Sequence, residues 1–176
     1  KREAQMNNHD TERIRRRMNT LLDTIDYDFK QFTMEGFRRY LEKYSDEPIK
    51  FVSLALRSSV SGAWGKVIDG RSFIFFDADM PTIYQSHVQL HEMSHIICGH
   101  PPVDAHTLLA DIMMNGDTQT PLLLRAVHSP QVELEAEVMA SLIQERVLRY
   151  GRLQELLKMI KSSQDIVDFL KIAGVA

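Results

Sequence analysis

Residues 87–100, HVQLHEMSHIICGH, place four histidines and one glutamate on a segment that is otherwise mostly apolar. Met80-Pro81 precedes this segment and Gly99 follows its last apolar residues, so we predict a helix over about 82–98. Glu92 is the only charged residue from Val88 to Ile97. A helix with so little charge is expected to be buried, and its polar side chains then need partners inside the protein.

The spacing of His91 and His95 predicts a metal site. Residues four apart lie about 40° apart on a helix, one turn above the other, so both imidazoles can reach one ion. Glu92 points about 100° away, where it can act as a general base without binding the metal. This is the H-E-x-x-H arrangement of zinc peptidases. The alternative is that both histidines only form hydrogen bonds in the core, which would leave Glu92 buried without an obvious partner.

A catalytic zinc needs a third protein ligand, and the segment 131–143, QVELEAEVMASLI, offers three glutamates. On a helix Glu135 projects into the apolar stripe, Glu133 lies at its border and Glu137 lies on the polar side. We therefore predict Glu135 as the ligand and keep Glu133 as the alternative. Arg146 could instead pair with a buried Glu135. His100 does not fit a metzincin pattern, because it stands five residues after His95 instead of six.

Hydrophobic periodicity predicts a single α+β domain over 1–176, rich in helices, with a small and mainly antiparallel sheet. Asp69-Gly70 between two apolar runs predicts a hairpin. Ser129-Pro130 predicts the start of a helix, and Gly151 predicts its end. The predicted segments are N-terminal helices over 10–44, a sheet over about 48–77, the metal helix over about 82–98, a ligand helix over about 130–150 and C-terminal helices over 152–173.

Composition argues against several classes of protein. A net charge of −3 with mixed signs gives no electrostatic reason to expect direct nucleic-acid binding. No apolar run is long enough to span a membrane, and the N-terminal segment lacks the apolar centre of a signal peptide. Cys98 is the only cysteine, so no disulfide can form within the chain, and we take Cys98 as core packing. These features together predict a cytoplasmic protein.

The segments SFIFFD (72–77), LHEMSHIICGH (90–100) and ELEAEVMASLI (133–143) together resemble the ImmA/IrrE family of bacterial zinc metallopeptidases. The resemblance covers about 45–150 and implies a zincin-like minimal metallopeptidase domain. It also implies that Glu135 is the third ligand of Zn2+, because E-A-x-x-x-A resembles the ligand helix of the family. Arg125 and His128 occupy the places of an arginine and an aromatic or histidine that precede this helix in a small branch of the family.

The resemblance implies a zinc endopeptidase that cleaves a regulatory protein, such as a DNA-binding repressor or an antitoxin. His128 is our candidate for stabilising the oxyanion, with Tyr84, His106 and Arg125 as alternatives, although His128 can equally be a polar residue before a helix cap. His100 either orients a ligand or caps the helix. Trp64 either belongs to a strand edge that binds substrate or packs in the core. The rival function is a non-catalytic zinc-binding module, or a toxin–antitoxin component, that acts by binding a partner.

Overall fold

The computed structural model describes residues 8–55, 61–114 and 128–159. These residues form a mixed α and β structure, as predicted. The elements in chain order are α1 (Asn8–Asp23), a 3-10 turn (Phe29–Gln31), α2 (Met34–Ser45), β1 (Ile49–Leu54), β2 (Gly62–Lys66), β3 (Ser72–Asp77), α3 (Thr82–Cys98), β4 (Val103–Asp104), α4 (Ala105–Met114) and α5 (Pro130–Met159).

The signals at the helix ends are confirmed. Helix α3 begins after Pro81 and ends at Gly99, which adopts a left-handed conformation with φ of 68° and donates its backbone N–H to the carbonyl oxygens of His95 and Ile96. Glycine favours this conformation because it has no Cβ. At α5, the Ser129 hydroxyl accepts a hydrogen bond from the Val132 N–H at 3.4 Å. These two ends fix where the histidine helix stops and where the glutamate helix starts.

The prediction of a mainly antiparallel sheet is wrong. The strand order is β1-β3-β2-β4, and two of the three pairings between described strands are parallel, namely β1 with β3 and β2 with β4. The antiparallel pairing is the predicted hairpin of β2 and β3, whose turn contains Gly70 with φ of 89°. A hairpin signal fixes only the two strands that it joins. The partners of β1 and β4 depend on connections that local sequence does not reveal.

Helix α5 continues through Gly151, so the predicted end at this residue is also wrong. A Cβ at Gly151 would meet no atom within 4 Å, which shows that the residue lies on an open surface. A glycine in an exposed helix costs about 1 kcal/mol, too little to end a helix that is packed along its length. The predicted C-terminal helices beyond 159, and the candidate Arg125, lie outside the described residues. Within the described ranges, no helix has the length and apolar character needed to cross a membrane.

Helix α3 lies at the centre of the domain. It packs against β2 and β3 on one side and against α5 on the other, and α5 also packs against α1. The core that joins these elements includes the following fully buried side chains: Met18, Leu22, Phe37, Leu41, Ile49, Ile74, Met93, Met139 and Ile143. Because α3 and α5 are held together by this core, their polar side chains are brought face to face.

The glycines of β2 allow close packing against helices. A Cβ at Gly62 would lie 2.2 Å from Cγ1 of Val88 on α3, and a Cβ at Gly65 would lie 3.0 Å from Cα of Ala105 on α4. Both glycines therefore permit close approach, and the approaching groups are the protein's own helices. Gly62 in this way sets β2 directly against the segment of α3 that carries Glu92.

Candidate metal centre

Three donor atoms from α3 and α5 meet at one point. His91 Nε2 lies 3.2 Å from His95 Nε2 and 3.3 Å from Oε2 of Glu133, and His95 Nε2 lies 3.8 Å from Oε1 of Glu133. These three residues form a group whose donor atoms could all bind one metal ion. The spacing of His91 and His95 on α3 produces the first contact, and the packing of α5 on α3 supplies the third residue.

The distances and the chemistry of these donors fit a zinc ion. Two donors that each lie about 2.0–2.1 Å from one tetrahedral ion are about 3.3–3.4 Å apart. The separations of 3.2 and 3.3 Å are close to that value, and the 3.8 Å distance, which runs to the other oxygen of Glu133, is longer. Two imidazole nitrogens and one carboxylate are also the ligand set of many catalytic zinc sites, which leave a further position open.

The structure places Glu133, and not the predicted Glu135, beside the two histidine Nε2 atoms. Glu135 has the expected burial, since only 5% of it is exposed, but it points away from this group. Arg17 of α1 forms an ion pair with its carboxylate, and His100 Nε2 lies 3.4 Å from Oε2. A buried carboxylate needs a positive or hydrogen-bonding partner, and Arg17 and His100 provide it without a metal. Arg146, the alternative partner, pairs with Asp23 instead.

The charges in this group are strongly coupled. Burial lowers the pKa of His91, but the hydrogen bond to Glu133 and the charges of Glu92 and Glu133 outweigh this effect and raise it to about 9. The hydrogen bond from His91 in turn lowers the pKa of Glu133 to about 2. Burial, followed by the charge of His91, lowers the pKa of His95 to about 3. Without a metal, the proton therefore resides on His91, and a bound cation must displace it.

Glu92 is buried between α3 and β2, with 7% of the residue exposed. Burial is the largest effect on its carboxyl group and raises its pKa to about 7, while the charge of His91 and a hydrogen bond from the Trp64 backbone N–H act in the opposite direction. The partner that sequence did not reveal for Glu92 is thus the backbone of β2. β4 pairs only with Gly65 and Lys66, so no described strand pairs with Gly62–Trp64 on the edge that faces away from β3.

His128 contacts the metal group from the loop before α5. Its Nδ1 lies 3.0 Å from Oε1 of Glu133, its Nε2 lies 2.8 Å from the Pro101 carbonyl oxygen, and its ring stacks on His95 with centroids 4.5 Å apart. Both hydrogen-bond partners are acceptors. A neutral ring donates its one N–H to Glu133 or to the Pro101 carbonyl oxygen, an imidazolium donates to both, and the contact with Glu133 restricts where that carboxylate can lie. The oxyanion role predicted for His128 remains a prediction.

The other candidate residues differ in their contacts and in their burial. His100 closes the end of the helix, since its backbone N–H donates to the His95 carbonyl at 3.0 Å, and its ring contacts His95; its role in orienting a metal ligand remains a prediction. Trp64 is a buried core residue whose Nε1–H donates to Ser72 Oγ. Tyr84 is exposed and lines an apolar cavity of about 830 Å³ at the start of α3. Cys98 packs against Met18 in the core, as expected.

Sequence reasoning missed Glu137, which contacts this group, and Arg17, which contacts the neighbouring Glu135. Glu137 was placed on the polar side of α5, yet its Oε2 lies 3.2 Å from His91 Nδ1 and 3.3 Å from His87 Nε2. Its spacing of four residues from Glu133 was a usable signal, because it puts both carboxylates on one helix face. Arg17 lies on α1 and forms an ion pair with the buried Glu135. No local signal connects Arg17 with Glu135, because α1 and α5 are far apart in sequence.

No family model, no curated protein and no solved structure matches this chain. The candidate site therefore rests on its own geometry.

Proposed function

We propose that this chain is a zinc-dependent endopeptidase of the ImmA/IrrE type. The observation that carries the proposal is the meeting of His91 Nε2, His95 Nε2 and the Glu133 carboxylate at separations of 3.2–3.8 Å. The H-E-x-x-H segment supplies two of these donors and also Glu92. Cleavage of a regulatory protein, such as a repressor or antitoxin, is part of the proposal and is suggested by the family resemblance alone.

His91, His95 and Glu133 would hold the ion. A bound zinc ion would polarise the scissile carbonyl group and make a nearby water more acidic. Glu92 would accept a proton from the attacking water and deliver it to the leaving amine. The Trp64 N–H and the burial against β2 hold the Glu92 carboxylate in one position for both transfers. His128 would keep Glu133 oriented through its hydrogen bond at 3.0 Å.

The edge of Gly62–Trp64 that faces away from β3, where no described strand pairs, supports a peptide as substrate. Gly62–Trp64 lies beside Glu92, and an extended chain could pair with the backbone of this edge. Such pairing recognises backbone groups, and it would place a peptide bond of the substrate near the general base. The rival, a zinc-binding module that only binds a partner, has no use for a buried carboxylate at position 92 next to the ligands.

A comparison of wild type with Glu92→Gln tests the proposal. Both proteins are loaded with zinc, their metal content is measured, and each is incubated with a complex library of peptides analysed by mass spectrometry. We expect equal zinc content, cleavage at a restricted set of sequences by wild type, and a loss of at least about 100-fold in Glu92→Gln, because general acid–base catalysis typically contributes that much. Zinc binding by both proteins without cleavage by wild type would contradict the enzyme and favour the module.

A further inference from the structure

A chain of buried polar groups leads away from the proposed metal group on the far side of His95. The Nδ1 atoms of His95 and His100 are 2.9 Å apart, and His100 Nε2 lies 3.4 Å from Oε2 of Glu135. All three residues are buried, with exposures of 1%, 8% and 5% in this order. Directional contacts between buried polar groups restrict where their hydrogens can lie.

If the rings of His95 and His100 are both neutral, these contacts permit only one arrangement of their hydrogens. An ionised Glu135 only accepts, so the Nε2 of His100 must carry the hydrogen. The Nδ1 of His100 then has a lone pair and accepts, so the Nδ1 of His95 must donate. His95 is left with a lone pair on Nε2, the atom that faces His91 and Glu133.

Three contacts support this arrangement. Arg17 forms an ion pair with Glu135, and the side-chain amide of Gln131 donates to Oε1 of Glu135 at 3.1 Å. Both partners stabilise the ionised carboxylate, because Arg17 is positively charged and Gln131 donates an N–H to it. On the other side, the 3.2 Å contact between the two Nε2 atoms requires one of them to accept, and His95 is the one with the lone pair.

We propose that Glu135 and His100 form a positioning relay that holds His95 in the Nδ1–H form, with its Nε2 lone pair directed at the cation site. The relay rests on the proposed function for the identity of the cation. Glu135 and His100 act through His95 and do not touch the ion. Contacts of this kind, from a carboxylate to a metal-binding histidine, typically change metal affinity by about 10–100-fold.

The first test is an 15N NMR measurement of imidazole tautomers in the metal-free wild-type protein, because the 15N shift distinguishes a nitrogen that carries hydrogen from one with a lone pair. We expect His95 to carry hydrogen on Nδ1 and His100 on Nε2. Hydrogen on Nε2 of His95 overturns the relay. This measurement needs no metal, so it judges the relay even if the wild-type protein fails to bind zinc, a result that would contradict the proposed function instead.

The second test uses competition with a chelator to measure zinc affinity in Glu135→Leu, Glu135→Gln and the control Glu145→Leu. The control removes another ion pair between α5 and α1, Glu145 with Arg15, that touches no histidine. We expect about 10–100-fold weaker binding in Glu135→Leu, recovery of most of the affinity and of the His95 tautomer in Glu135→Gln, which keeps an acceptor oxygen, and no change in the control. Wild-type affinity in Glu135→Leu overturns the relay. If Glu135→Leu fails to fold, Glu135→Gln and the wild-type spectrum decide.

Discussion

The protein contains two clusters of packed rings that have similar geometry and different chemistry. In the aromatic cluster, Phe37 contacts the rings of Tyr27, Phe29, Phe32 and Tyr40, with centroids 5.0–6.3 Å apart. In the histidine cluster, His95 contacts the rings of His91, His100 and His128, with centroids 4.5–5.0 Å apart. The spacing of the rings therefore does not distinguish the hydrophobic core from the candidate metal centre.

The difference lies in what each ring requires from its surroundings. A phenylalanine ring is stabilised by any apolar neighbour of the right shape, because apolar burial is not directional. Each imidazole nitrogen needs a donor or an acceptor at a specific place. In the histidine cluster the required acids come from α5, namely Glu133, Glu135 and Glu137. The aromatic cluster thus stabilises the fold, and the histidine cluster depends on a fold that is already in place.

The largest effect on stability is expected in the aromatic cluster, from a substitution that should leave the histidine cluster unchanged. Phe37→Ala removes a fully buried ring and should lower the free energy of unfolding by about 3–5 kcal/mol, measured by urea denaturation. The zinc affinity of the folded fraction should not change, since Phe37 does not contact the histidine cluster. Tyr44→Ala, at a ring that is 47% exposed, is the control and should change stability by less than about 1 kcal/mol. A large loss of zinc affinity in folded Phe37→Ala would show that the clusters are coupled.

A smaller effect is expected at Gly62, which lies close to both the core and the site. An added Cβ would lie 2.2 Å from Val88 Cγ1 and 2.9 Å from the Phe75 carbonyl oxygen, so Gly62→Ala should cost about 1–3 kcal/mol and displace β2 from Glu92. Gly151→Ala is the matched control, because its Cβ meets open space and alanine favours a helix by about 1 kcal/mol. Equal stability changes in thermal unfolding of both variants would contradict the close packing of β2 on α3.

The sequence predicted those features that are encoded locally. The bounds of α3, the hairpin at Gly70 and the burial of Glu135 all follow from periodicity and end signals, and the structure confirms them. The Nε2 contact of His91 and His95 also follows from their spacing on one helix.

The parts that sequence missed depend on pairs of remote segments. Burial of Glu135 was predicted correctly, but the sequence did not identify its partner. Arg17 and a metal ion are both positively charged, so either can pair with a buried carboxylate. The parallel pairing of β1 with β3 has a similar cause, since it depends on how the connection between strands crosses the sheet. Glu133 reaches the histidines only because α5 packs on α3 at one particular register.

The most direct test of the proposed metal centre is a crystal structure of the zinc-soaked protein with anomalous data collected at the zinc absorption edge. We expect one strong anomalous peak bonded to His91, His95 and Glu133, with Glu135 still paired to Arg17. A peak bonded to Glu135 in place of Glu133, or no peak among these residues at saturating zinc, would contradict the site described above.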